Sequence, residues 1–284
     1  MDRKPLLGDQ KRLGFSFHRT FSLVRPAVTQ VLELAEEAQT KELPLNNRVI
    51  REKSSLGTIY VESMPRYATG AGLLDFDRRL TRFGQYALRH DRLLEQQSTQ
   101  WLMHYYLSAP QGPGPAFWHH LVSSFFYVGR EFSKTQVERQ ITTFVEQNEG
   151  RTLAERTLST AATIFLGTYL KSDGLGKLGL LIQLPDERYQ VTEPVSPPPW
   201  AVAYALLDYW EAHFQDQLTV SLDTLIAPGG FTALFLLGQH DFNEVLRVLQ
   251  AERYVEVYRV APPYQVVLLR RDPEPLLQTL YGTT

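Results

Sequence analysis

An order of three helical segments followed by a β-hairpin can be read twice along the chain, and it constrains the fold more than any other feature. In the first instance Pro26 suits the opening turn of a helix, and Val28, Val31, Leu32, Leu34 and Ala35 follow at helical spacing. Asn46 or Asn47 caps a second helix reaching Lys53. A third spans 58–67 and stops at Gly70-Ala71-Gly72, with Pro65 expected to kink or shorten it. Residues 75–84 then read as a short hairpin, and Phe15, Phe17 and Phe21 ahead of all this suggest a short strand or extended arm. In the second instance helices at 200–214, 222–227 and 241–252 precede a hairpin of 255–260 and 264–270, with Asp241 and Glu244 as the capping pair of the third helix.

Between the two lies a helical stretch. Helices are predicted over 99–107 and 115–127, and Ser133-Lys134-Thr135-Gln136 and Thr152-Leu153-Ala154-Glu155 match the capping box that opens two more. Residues 178–184 and 189–192 form a predicted hairpin, and Val195-Ser196-Pro197-Pro198-Pro199 reads as a stiff linker. The expected fold is therefore mainly α, with winged-helix modules at both ends of a central helical region and short β-hairpins. The expected units are 1–92 (arm and winged-helix-like domain), 93–194 (central helical domain with a hairpin), the linker 195–199, and 200–284 (second winged-helix-like domain).

Charge separates along the same lines. Residues 1–92 hold 16 Lys or Arg against 11 Asp or Glu, whereas 93–284 hold 13 against 20. The net charge of −2 argues against a protein that coats nucleic acid indiscriminately, but a positive amino-terminal part suits one anion-binding module beside a different kind of surface. No cysteine is present, so disulfides, thiolate metal sites and thiol nucleophiles are excluded. Residues 1–14 are polar with no signal-peptide core, and no apolar run approaches membrane-spanning length, so a cytoplasmic protein without membrane contact is expected.

Catalytic patterns are weak. Gly174-Leu175-Gly176-Lys177-Leu178-Gly179 spells a dinucleotide fingerprint, but that motif needs a strand before it and a helix after it, and here the predicted order is reversed. His104, His119 and His120 lack metal-ligand spacing, since adjacent residues on a helix point about 100° apart. There is no Gly-x-Ser-x-Gly, and Asp173, Asp208 and Asp216 do not assemble into a site by spacing. No catalytic residue, metal or cofactor is expected. The basic residues are better organised: Arg48, Arg51 and Lys53 on the second helix, Tyr60 and Arg66 on the third, and Arg78, Arg79 and Arg82 on the hairpin. In a winged helix these would grip phosphates of double-stranded DNA, with Arg66 as the base reader.

The order of motifs also resembles a bacterial family catalogued as a domain of unknown function. The resemblance rests on Phe17-His18-Arg19-Thr20-Phe21 with Arg25, Leu56-Gly57, Ala71-Gly72-Leu73-Leu74, Leu80-Thr81-Arg82-Phe83-Gly84 and Leu94-Glu95. Thr99-Gln100-Trp101-Leu102-Met103-His104-Tyr105 and Phe117-Trp118 complete it, and it covers roughly residues 15–170. Members of that family are encoded beside phosphoadenosine-phosphosulfate-reductase-like proteins, in clusters linked to DNA phosphorothioation and phage defence. The resemblance implies a subunit of a multi-protein DNA-targeting system. The expected function is a non-catalytic, DNA-binding or DNA-sensing subunit of such a system; the alternative is a scaffold that holds an enzymatic partner without touching DNA.

Overall fold

The computed structural model describes residues 11–282, so the first ten residues of the polar opening lie outside it. Residues 15–20 form consecutive turns, not the expected strand. Their backbone bonds run three residues back, as in Phe17 N–H to Gly14 C=O, because no neighbouring strand offers a ladder. The aromatics bury all the same: Phe15 lies against Phe117 and Phe17 against Tyr67, each with ring centroids 4.8 Å apart.

Helix α1 (Arg25–Thr40) opens with Pro26 in its first turn, and α2 (Asn47–Lys53) is capped by the Asn46 side chain, which accepts from the N–H groups of Arg48 and Val49. Helix α3 (Thr58–Gly70) runs through Pro65 and is not shortened there. Val61, Met64, Pro65 and Ala68 form one buried stripe, whose burial outweighs the single backbone bond that proline cannot make.

The expected hairpin at 75–84 is replaced by a tight turn and a helix. Only one bridge, Leu74 to Leu80, joins the two arms, and Asp75 Oδ1 closes the turn by accepting from the N–H groups of Asp77 and Arg79. Helix α4 (Arg82–His90) starts where the second strand was predicted. Thr81 Oγ1 accepts from Gly84 N–H at 3.0 Å, and Gly84 packs so tightly that a Cβ there would lie 2.0 Å from the Leu73 carbonyl. The first three helices are thus followed by a fourth.

In the middle, α5 (Gln97–Ser108) is followed by α6 (Ala116–His120), which runs on into a single π-helical turn over 121–125. Both halves of the Ser133–Gln136 capping box form at the start of α7 (Lys134–Glu149). The box predicted from Thr152 does not: α8 (Glu155–Leu170) opens at Ala154 with no side-chain cap. Strands β1 (Glu131–Phe132), β2 (Leu181–Gln183) and β3 (Tyr189–Val191) make an antiparallel sheet in the order β1-β3-β2, so the predicted hairpin gains a third strand. The glycine-rich segment 174–179 is a 3₁₀ turn between α8 and β2, an arrangement opposite to that of a dinucleotide site.

The proline-rich stretch lies on the body of the protein. Trp101 Nε1 donates to the Val195 carbonyl at 3.2 Å, Val195 N–H bonds Leu178 C=O, and Pro199 already belongs to α9 (Pro199–His213). Then come β4 (Thr219–Ser221), α10 (Leu222–Ile226), a 3₁₀ turn (Phe231–Phe235), α11 (Gln239–Ala251), β5 (Val255–Tyr258), β6 (Gln265–Leu268) and α12 (Glu274–Leu280). The second sheet is antiparallel with the order β4-β6-β5. Helix α11 starts at Gly238 without a side-chain cap, so Asp241 sits inside its first turn instead of capping it. Among the described residues the fold is mainly helical with two small three-stranded sheets, and no helix is long and apolar enough to cross a membrane.

Candidate nucleic-acid interface

The eight sequence-predicted residues separate into free and engaged groups. On α2, Arg48 Nε pairs with Glu52 at 2.8 Å, and Lys53 Nζ reaches back to Glu37 of α1 at 2.6 Å. Glu37 also takes Lys41, and hydrogen bonds first from Lys41 and then from Lys53 hold its carboxyl down at about 2. Arg51 is exposed and forms no ion pair among the described residues. Tyr60 is half-buried, with its ring 4.7 Å from that of Phe21. Arg66 is half-buried and donates to the Phe17 carbonyl at 3.4 Å, tying α3 to the amino-terminal turns.

In the 75–79 turn, Arg78 has a left-handed backbone (φ 60°) and a guanidinium whose Nη1 is buried without a hydrogen-bond partner. Burial, and then the nearby Arg66 charge, pushes its guanidinium below the ordinary value. Arg79 is exposed and forms no ion pair among the described residues. Both arginines line a groove of about 660 Å³ whose opposite wall is the end of α1 and the loop 42–45 that feeds α2. Arg82 lies in the first turn of α4, where it pairs at 3.1 Å with Glu274 of α12; Tyr86 OH donates to the same carboxylate at 2.6 Å. The structure therefore places exposed cations on α2 and on the turn. It gives Arg66 and Arg82 to contacts within the fold.

The histidines are held apart from one another by separate partners. His104 is fully buried on α5: Nε2 donates to the Leu234 carbonyl at 2.7 Å, which leaves Nδ1 to accept from Tyr169 OH at 2.9 Å. The Tyr169 oxygen in turn accepts from Trp118 Nε1 at 2.8 Å. Burial brings His104 down to about 4, and His119, whose Nδ1 lies 2.8 Å from the Ser108 carbonyl, is brought down to about 4 by the same cause. His120 stacks on Phe144. Among the described residues no three His, Asp or Glu side chains converge as a metal site.

Two arrangements had no signal in the sequence that spacing could reveal. Half-buried Asp208 of α9 accepts from Tyr105 OH (2.8 Å), Tyr106 OH (3.3 Å) and Gln111 Nε2 (2.8 Å), and loss of hydration pushes its carboxyl up. On α11, Asn243 accepts from Arg259 of the β5–β6 loop at 2.8 Å, beside an exposed Arg247 paired with Glu244. Both join residues from separate elements.

Comparisons with known proteins bear on this fold. A family described as "Protein of unknown function (DUF4007)" matches residues 15–279, so its match extends beyond the 15–170 stretch of resembling motifs and takes in the second sheet. A "Magnesium ion-bound SspB crystal structure" superposes with a TM-score of 0.78 at 17% identity, covering 99% of this chain and 91% of that one. An "SspB crystal structure" gives 0.73 at 16% identity, covering 96% and 89%. At these identities the likeness shows a shared fold. No curated protein matches the chain.

Proposed function

The chain belongs to the family described as Protein of unknown function (DUF4007), and from that premise we propose that it is a DNA-binding or DNA-sensing subunit of a bacterial defence or DNA-modification complex. The observation that carries the DNA part is the pair of exposed arginines, unpaired among the described residues: Arg51 on α2 and Arg79 on the 75–79 turn. Arg51 and Arg79 have no carboxylate partner there among the described residues, while Arg48 and Lys53 are held by exposed pairs that phosphate can replace at little cost. The kind of complex is suggested by the resembling family's gene neighbourhoods. A second support is the carboxy-terminal order α9-β4-α10-α11-β5-β6 with sheet order β4-β6-β5, which we read as a winged helix with α11 as its outer helix.

The scaffold reading is favoured by one feature of that same module. Val260, in the β5–β6 loop, is 95% exposed, and Tyr258 at the end of β5 next to that loop is about half exposed. Gel shifts with purified protein at low salt separate the two. A shifted duplex supports the DNA reading. Co-purification with a gene neighbour's product and no shift at any salt supports the scaffold.

The magnesium in one SspB structure raises the question of a metal site here. One pair of carboxylates, Asp208 and Glu211, borders a common cavity of about 460 Å³. Asp208 already accepts three hydrogen bonds in surroundings that favour its neutral form, and Glu211 pairs with Arg271 at 2.8 Å. This donor set does not fit magnesium, which prefers ionised carboxylates with room for several waters. As a binding subunit the chain is expected to leave supercoiled plasmid intact in millimolar magnesium. Nicking that Asp208→Asn abolishes would replace binding by catalysis as its role.

A further inference from the structure

A cavity of about 350 Å³ lies between residues 20–22, the start of α7, the second half of α8 and β3, well apart in sequence from the α2 face. Its polar lining is Thr20, Ser22, Lys134, Thr163 and Lys171, with no carboxylate among the residues that border it. The two ammonium groups rest on hydroxyls: Lys171 Nζ donates to Ser22 Oγ at 3.1 Å and Lys134 Nζ to Ser159 Oγ at 2.8 Å. Lys134 also forms a long ion pair, 3.8 Å, with Glu138 one turn on along α7. Elsewhere lysines are matched more closely, as Lys41 and Lys53 are by Glu37 at 2.6 Å. A hydroxyl takes up one of the three donors of an ammonium and none of its charge, so Lys171 keeps donors and charge for an anion, and Lys134, in a long pair with Glu138, keeps donors for one.

Gly167 adds a second, independent point. It lies inside α8, where glycine is less favourable than alanine because its backbone loses more freedom on ordering. Its backbone does not require glycine, and a Cβ there would meet Ser22 and Lys171 only at ordinary contact distances, 3.5 Å and beyond. Packing therefore gives no reason for the missing side chain, whereas an open cavity wall does. The rest of the wall is apolar and includes the rings of Phe21 and Tyr189. The volume exceeds what a bare phosphate fills and falls in the range of small-ligand sites.

We propose that this cavity binds a nucleotide, with its phosphate between Lys134 and Lys171 and its sugar and base along Phe21, Tyr189 and the open surface at Gly167. The phosphate could be carried by a free mononucleotide or by the end of a strand, and the chemistry of the grip is the same for both. The proposal does not rest on the DNA reading of the α2 face.

The test is calorimetric titration of the full chain with each of the four deoxynucleoside 5′-monophosphates, with inorganic phosphate, and with a 5′-phosphorylated oligothymidylate. At least one monophosphate is expected to bind more tightly than inorganic phosphate. Lys134→Ala and Lys171→Ala should each weaken it about tenfold or more, as loss of a charged hydrogen bond does. Gly167→Leu should remove binding by filling the cavity. Gly167→Ala, which keeps the fold in any case, is expected to raise Tm while weakening binding. Arg51→Ala should leave nucleotide affinity unchanged, so failure here and failure of the DNA reading are distinguishable. Tighter binding of the oligonucleotide than of any monophosphate identifies a strand end as the source, and equal binding identifies a free nucleotide. No binding of any of these probes, or binding that survives both lysine substitutions, overturns the proposal.

Discussion

Arg25→Ala is expected to lower the stability of the chain by about 3–5 kcal/mol, since three backbone carbonyls lose their charged donors at about 1–3 kcal/mol for each one left buried and unsatisfied. Arg25 is 3% exposed in the first turn of α1, and its guanidinium donates to three backbone carbonyls: Gly174 and Leu94 at 2.7 Å and Ser172 at 2.6 Å. Its own N–H bonds the Asp173 carbonyl at 2.7 Å, so one residue ties α1 to the turn after α8 and to the segment before α5. Truncation leaves three carbonyls without their donors and a void where the planar group lay. Arg25→Lys should recover only part of the loss, because a single ammonium cannot match a fork that serves three acceptors. Urea unfolding of wild type and both variants measures this. A loss below about 1 kcal/mol for Arg25→Ala would mean that water reaches those carbonyls and that the network is not a buried staple.

The second large effect is acid destabilisation centred on His104. In the folded chain this side chain is neutral, fully buried and bonded at both ring nitrogens, with its pKa brought from 6.5 to about 4. Above pH 6.5 neither state binds the proton and the full stability is present. Between 6.5 and 4 the unfolded chain takes up the proton and the folded chain does not, so stability falls as pH falls. Over that window the loss from His104 is about 3 kcal/mol, at 1.36 kcal/mol per pKa unit. His119, also at about 4 but partly exposed, adds a smaller contribution of the same sign. Denaturant unfolding at pH 7.5, 6.0, 5.0 and 4.5 should show the decline, and His104→Gln should flatten it by one proton's worth. A profile that is level from pH 6.5 to 4.5 would contradict the buried neutral assignment.

What could be read from the sequence follows the range of the interactions. Local caps were legible in part: Asn46 caps α2 and Ser133 with Gln136 opens α7, whereas the pairs at Thr152–Glu155 and Asp241–Glu244 match the same pattern and form no cap. The hairpin expected at 75–84 failed although its cause is also local. Thr81 and Gly84 are the cap of a helix, and the charged, turn-rich run before them masks that role. The aromatic alternation at 15–21 signalled burial correctly but not its geometry, since burial on turns and burial on a strand leave the same pattern. The candidate site was legible as a group of basic residues and not as a set of roles. Whether an arginine is free depends on its partners, and those of Arg82 and Arg66 are Glu274 and Phe17, distant in the chain. The Lys134–Lys171 cavity needs α7, α8 and the amino-terminal turns side by side, which no spacing reveals.

The central claim, that duplex DNA is held by exposed arginines of α2 and the 75–79 turn, is tested most directly by a salt titration of duplex binding. Wild type, Arg51→Ala, Arg79→Ala and Arg66→Ala are compared on one mixed-sequence duplex. Loss of a phosphate contact reduces the slope of log K against log salt by about 0.9. Arg51→Ala and Arg79→Ala should each show that reduction and weaken binding to every duplex alike, while Arg66→Ala, whose side chain serves the Phe17 carbonyl, should keep the wild-type slope. Slopes unchanged in both Arg51→Ala and Arg79→Ala would contradict the account and leave the scaffold reading in its place.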